Sequence, residues 1–221
     1  MVLHRSLRAV KAQYPLLVLV TENVATAEIL SIFEDESIFY DIVEPLSYIP
    51  ATQDKWKHSS VLNTASKVHL FSQVNWKKLV YIDADVLVLE NIDDLFLRLD
   101  GSMVKYPGDP HGFTGMFVVE PLLHDEADFY ITLLKHEECF DGDLIGKLWF
   151  FLRTNPDYWI PPCYLHSPME YTNSSKTIHF CNEGKPWKEV QLDTGTFLMW
   201  KYNSFLQEIR EKYNTAHYSL G

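Results

Sequence analysis

Two short apolar runs, Leu79–Ile82 and Val86–Leu89, are separated only by Asp83-Ala84-Asp85. Runs this short, rich in Val, Ile and Tyr, read as strands buried on both faces. They form the centre of Lys78–Leu95, the stretch around which the chain is organised. Before it, Leu3, Leu7 and Val10 make Leu3–Val10 a short helix. Pro15 opens a strand over Leu16–Val20, Ala25–Phe33 reads as a helix, and Ile38–Val43 is a strand closed by Pro45. Tyr48–Lys57 looks like loop. Ser59–Val74 carries an apolar helical stripe of Val61, Leu62, Ala65, Val68, Leu70 and Phe71. After the central stretch come a short helical turn over Asn91–Leu97 and strands at Met103–Tyr106 and Gly115–Val119. Helices follow at His124–Glu138 and Gly142–Leu152, then a short strand at Thr177–Phe180, a loop at Asn182–Trp187 and a long helix over Thr194–Tyr213. Strands alternating with helices predict an α/β fold with a mostly parallel central sheet.

Composition narrows this picture. The 221 residues are 47% hydrophobic and 14% aromatic, which suits one large domain with ample core and argues against disorder. The domain is expected to span 1-221, with its core over about 2-187 and a C-terminal helix over about 194-213. A net charge of −11, with no long basic run, argues against nucleic acid or an anionic membrane as partner. The three cysteines have no paired spacing, which suits a reducing compartment and gives no zinc signature. No apolar run is long enough for a transmembrane helix. The start is amphipathic rather than signal-like, so the expected location is cytoplasmic, and the sequon Asn173-Ser174-Ser175 carries little weight.

The chemistry concentrates after strands, where open α/β sheets bind ligands. Two carboxylates at the end of a buried strand are costly unless positive charge offsets them. Asp83 and Asp85 can share one hard divalent cation, Mg²⁺ or Mn²⁺, that in turn holds a diphosphate. The plain alternative for an Asp-x-Asp is a turn. His179 follows the last strand and can add an imidazole ligand. Lys185 can meet phosphate as a point charge, and Gly184 permits close backbone approach.

These motifs resemble the glycogenin-like nucleotide-sugar glycosyltransferases, glycosyltransferase family 8. Tyr81-Ile82-Asp83-Ala84-Asp85, continuing into Leu87–Phe96, is similar to that family's metal-binding signature. His179 with Lys185-Pro186-Trp187 is similar to its closing signature. Lys67 stands where the family has a donor-contacting lysine. The resemblance implies a GT-A fold and a hexosyltransferase moving a hexose from a UDP-sugar to an unidentified acceptor, with retention of configuration. It implies Mn²⁺ (or Mg²⁺) on Asp83, Asp85 and His179. It implies donor binding by Lys67, Asp83, Ala84, Asp85, Thr114, Gly115, Asp141, Asp143, Asn182, Gly184 and Lys185, with Asp143 and Lys185 catalytic. A homo-oligomer is an open expectation.

The chain also departs from that pattern. It starts at the helix that follows the family's first strand, so that strand is expected to be absent. Phe113-Thr114-Gly115, Gly142-Asp143-Leu144 and Asn182 differ from the family's residues near the sugar. A non-catalytic relative that binds nucleotide or partners an active homologue is therefore the alternative. A haloacid-dehalogenase-like phosphatase also places Asp-x-Asp after a strand, but no second acidic pair accompanies this one.

Overall fold

The computed structural model describes residues 1–46, 63–106, 112–121, 155–180, 185 and 196–213. Along the chain, helix α1 (Val2–Ala9) is followed by β1 (Leu17–Thr21), α2 (Ala27–Asp35) and β2 (Phe39–Val43). A 3₁₀ helix over Asn63–Ser72 leads into β3 (Leu79–Ile82) and β4 (Val86–Val88). A 3₁₀ turn at Asp93–Leu97 precedes β5 (Met103–Val104), β6 (Phe113–Val119) and β7 (Trp159–Ile160). Then come β8 (Thr177–His179) and α3 (Thr196–Tyr213). The expected loop over Tyr48–Lys57 and the helices His124–Glu138 and Gly142–Leu152 lie outside the described residues, as does all of Asn182–Trp187 except Lys185.

The chain divides into two compact units. One comprises Met1–Gln13, Ile82–Leu97 and Ile160–Gly221; the other comprises Tyr14–Tyr81 and Arg98–Trp159. In the first unit β4 pairs antiparallel with β8, in the register Val86↔His179, Leu87↔Ile178 and Val88↔Thr177. All six of those residues are buried. Leu87, Ile178 and Phe180 pack with Leu198, Tyr202 and Phe205, whose spacing of four and three residues forms one stripe of α3. Helix α1 also packs against β4. Its buried Ser6 accepts a hydrogen bond from the Val88 N–H at 3.1 Å while donating to the Leu3 carbonyl. A backbone donor inside the core is thereby satisfied by a side chain.

In the second unit β1 and β2 pair in parallel through the α2 crossover, from Leu17↔Phe39 to Thr21↔Val43. Thr26 caps α2 by accepting from the Ile29 N–H at 3.3 Å. Four strands form a sheet in the order β3-β6-β5-β7. Met116, Phe117, Val118 and Val119 of β6 are fully buried.

The α/β class stands, with differences in detail. β1 and β2 pair in parallel, as does an isolated bridge of His166 to Ile178, while β4–β8 and β5–β6 are antiparallel. The parallel β1–β2 pair has the crossover that parallel strands require, in α2. Leu79–Ile82 is half-buried at every position rather than buried on both faces. The described part of the helix expected over Ser59–Val74 is wound as the tighter 3₁₀ form. Three residues per turn bring Val68 and Phe71 into line, and both are buried.

Candidate functional site

The turn between β3 and β4 is closed by the Val86 N–H donating to the Asp83 carbonyl at 3.2 Å. Ala84 sits exposed at its tip, and the flanking carboxylates are partly buried. The antiparallel ladder supplies the third group. His179 lies opposite Val86, and the Phe180 N–H donates to the Asp85 carbonyl at 3.0 Å. This register sets the imidazole, only 5% exposed, beside the two acids. Its Nε2 is 3.1 Å from Asp85 Oδ1 and 3.4 Å from Asp83 Oδ2. The His179 backbone N–H donates to the His166 carbonyl at 2.8 Å, which fixes the strand end.

One ligand atom from each of Asp83, Asp85 and His179 lies within 4.8 Å of the others. Adjacent corners of an octahedron with bonds of 2.0–2.1 Å are about 3.0 Å apart. The 3.1 and 3.4 Å separations are close to that edge. Two carboxylates and an imidazole are also a chemically suitable donor set for Mg²⁺ or Mn²⁺. The residues therefore fit a divalent cation.

The Lys185 ammonium forms an ion pair with the other Asp85 oxygen, Oδ2. Burial pushes the Asp85 carboxyl up. Hydrogen bonding and charge from His179, then from Lys185, outweigh it and hold the pKa below the usual carboxylate value. Asp85 is thus favoured as the anion that a cation requires. Tyr202 of α3 stands behind this centre, edge-on to Phe180 with ring centroids 5.7 Å apart. Burial raises its phenol pKa; Arg210 lowers it, and the Asp85 charge raises it further. Tyr202 escaped the sequence reading because a tyrosine on an apolar helix stripe carries no local sign of an acid across the core.

The remaining expected residues belong to the second unit or lie outside the described residues. Lys67 belongs to the second unit, where its ammonium donates to the Thr114 carbonyl at 3.4 Å and lies 5.2 Å from the Tyr81 ring centroid. Tyr81 in turn stacks on Phe117 at 4.8 Å. Thr114 and the buried Gly115 are on β6. Asp141, Asp143, Asn182 and Gly184 lie outside the described residues. No helix among the described residues is long and apolar enough to cross a membrane.

Comparison with known proteins agrees with these motifs. No family model matches the chain. Human glycogenin-2 is 32% identical over 204 residues, covering 85% of this chain and 40% of that protein. Human glycogenin-1 is 31% identical, with 85% and 57% covered. Galactinol synthase 7 of Arabidopsis thaliana is 26% identical, with 84% and 68% covered. The chain thus spans about half the length of the glycogenins it matches. Among solved structures, the glycosyltransferase GlyE of Streptococcus pneumoniae TIGR4 superposes with a TM-score of 0.61 at 15% identity, covering 96% of this chain and 60% of that one. Its apo form gives 0.60 at 13%. The fold is that of GT-A glycosyltransferases.

Proposed function

We propose that this chain, a homologue of the glycogenins and galactinol synthases and a glycosyltransferase in fold, is a hexosyltransferase that uses a UDP-sugar through a divalent cation. The observation that carries the reading is the convergence of Asp83, Asp85 and His179 from two paired strands. A cation held there supplies charge that stabilises a departing diphosphate. Asp83 and Asp85 hold their oxygens on one side of a tight turn, and Asp85 stays ionised because its partners outweigh its burial. Lys185 brings a second positive charge to the same carboxylate and can exchange that contact for a phosphate oxygen when donor binds. Lys67, Thr114, Gly115 and Ala84 are assigned to the donor. So are Asp141, Asn182 and Gly184, and Asp143 is assigned to the sugar beside its anomeric carbon. The reaction is assigned retention of configuration, and the acceptor is unassigned.

The test is calorimetry of UDP with Mn²⁺ and with chelator. The metal should strengthen binding by several kcal/mol, at least about a hundredfold. Asp83→Ala and Asp85→Ala should each remove most of that gain. Equal affinity with metal and with chelator overturns the metal reading. UDP-glucose and UDP-galactose hydrolysis, followed with Mn²⁺, then separates an enzyme from a relative that binds nucleotide without turnover.

A further inference from the structure

A second feature lies in the unit that does not contain the acid and histidine cluster. At the N-terminal ends of β1 and β2 a cavity of about 340 Å³ is lined by Leu17, Phe39, Asp41, Gln73 and Trp76, among others. That volume falls within the range of small-ligand sites, about 300–1,000 Å³. Phe39 and Asp41 alternate with Tyr40 on β2 and so share one face of the strand. Leu17 is Phe39's partner across the ladder. The segment after the 3₁₀ helix brings the remaining wall. There the Trp76 N–H donates to the Gln73 carbonyl at 3.0 Å, a tight turn that carries the indole over to Phe39. The two rings meet nearly edge to face, with centroids 5.5 Å apart and planes at 80°.

Three properties define what suits this space. Phe39 is 54% exposed, so part of its ring is open to a ligand. Gln73, by contrast, is only 9% exposed, and its amide nitrogen donates to Asp41 Oδ2 at 2.9 Å. Among the described residues no contact takes up the side-chain oxygen of Gln73, Oε1, or Asp41 Oδ1. Asp41 is exposed, so its carboxylate is open to accept hydrogen bonds from a ligand rich in O–H groups. Asn75 adds an amide to the rim. Finally, no Lys, Arg or His lines the cavity, which disfavours phosphates and other anions.

We propose that this cleft binds a neutral pyranose unit of a saccharide. The C–H face of the sugar packs on the Phe39 and Trp76 rings, and its hydroxyls donate to Gln73 and Asp41. An edge-to-face pair forms a corner, which suits a chair-shaped ring better than the flat slot a nucleobase needs. The assignment stands on the cavity itself. If the transferase reading also holds, the cleft anchors a glycan acceptor.

The experiment is titration of the full chain with maltohexaose, cellohexaose, lactose, adenosine and uridine, followed by tryptophan fluorescence and calorimetry without metal. At least one saccharide should bind, and Phe39→Ala should weaken it about tenfold, as expected for losing one aromatic contact. Asp41→Asn, which replaces one acceptor oxygen with a donor, should weaken it as well. Thermal melts and Mn²⁺-dependent UDP binding should stay unchanged in both variants, since neither residue belongs to the cation cluster. No saccharide binding at millimolar concentration, saccharide binding indifferent to both substitutions, or nucleoside binding in place of saccharide overturns the proposal. Failure of UDP to bind with metal would strike the transferase reading and leave this one standing.

Discussion

Asp94, Tyr164 and Lys176 show what individual side chains contribute away from the cation cluster. The Tyr164 hydroxyl donates to Asp94 Oδ2, and the Lys176 ammonium is 3.2 Å from the same oxygen and 4.3 Å from the Tyr164 ring centroid. Burial raises the Asp94 pKa, but hydrogen bonds from Tyr164 and Lys176 bring it below 3.8. A folded-state pKa that is depressed stabilises the protein above the ordinary value, and the gain is lost as pH falls through the folded value. For Lys176, burial lowers the pKa and the Tyr164 and Asp94 contacts raise it above 10.5. Its share is present below 10.5 and lost as pH rises through the folded value. The cluster therefore supports the fold across the neutral range and weakens at both extremes. Asp94 is half exposed, so solvent screening limits its worth to about 1 kcal/mol or less. Urea unfolding of Asp94→Asn should differ from wild type at pH 7 and converge with it as pH falls well below 3.8. A constant difference down to acid pH would remove charge as the cause.

Among the elements, α1 and α2 end in the same way and with the same compromise. After each, one residue takes positive φ, Lys11 at 57° and Ser37 at 56°. Lys11 and Ala12 donate to the carbonyls of Arg8 and Leu7, and Ser37 and Ile38 donate to those of Glu34 and Phe33. This is the Schellman arrangement, in which glycine is the favoured residue because it has no Cβ. A non-glycine there costs about 1–2 kcal/mol, partly offset by glycine's greater unfolded-state entropy. Lys11→Gly and Ser37→Gly should each stabilise by about 0.5–1 kcal/mol and raise Tm by roughly 1–4 °C. An unchanged or lower Tm would show that the left-handed turn carries no strain. Ser6 is the opposite case. Ser6→Ala leaves the buried Val88 N–H without its acceptor and should cost about 1–3 kcal/mol in chemical denaturation. A loss below a few tenths would mean that another acceptor reaches Val88.

For the whole molecule, charge sets the terms of ligand capture. A chain of net charge −11 repels an anionic nucleotide at long range, and a bound cation reverses this only locally. Without metal, UDP affinity should fall as ionic strength is lowered, because screening of the repulsion is removed. With Mn²⁺ the dependence should be weaker. Calorimetry at two salt concentrations checks the sign. Metal-free binding that strengthens at low salt would mean that local lysines, not net charge, govern the approach.

Much of this protein was written locally. The Asp83-Ala84-Asp85 turn was legible because two apolar runs flank it directly, and Leu79–Ile82 starts and stops as a strand where the run does. The α/β class followed from alternating periodicities, and the family likeness from short motifs whose spacing survives without knowledge of the fold. Burial on the two faces of Leu79–Ile82 was not legible, because a run of apolar residues reports what can be buried, not what packs on it. Nor was the ladder that brings His179 to Asp85. Strand register is a non-local choice, decided by which apolar faces meet in the core, and here α3 covers the pairing of Leu87 with Ile178. The joining of Asp94 to Lys176 and of Asp41 to Gln73 also belongs to tertiary structure alone. Polar residues far apart in sequence carry no periodic signal of their partners, and only chain closure determines which donor meets which acceptor.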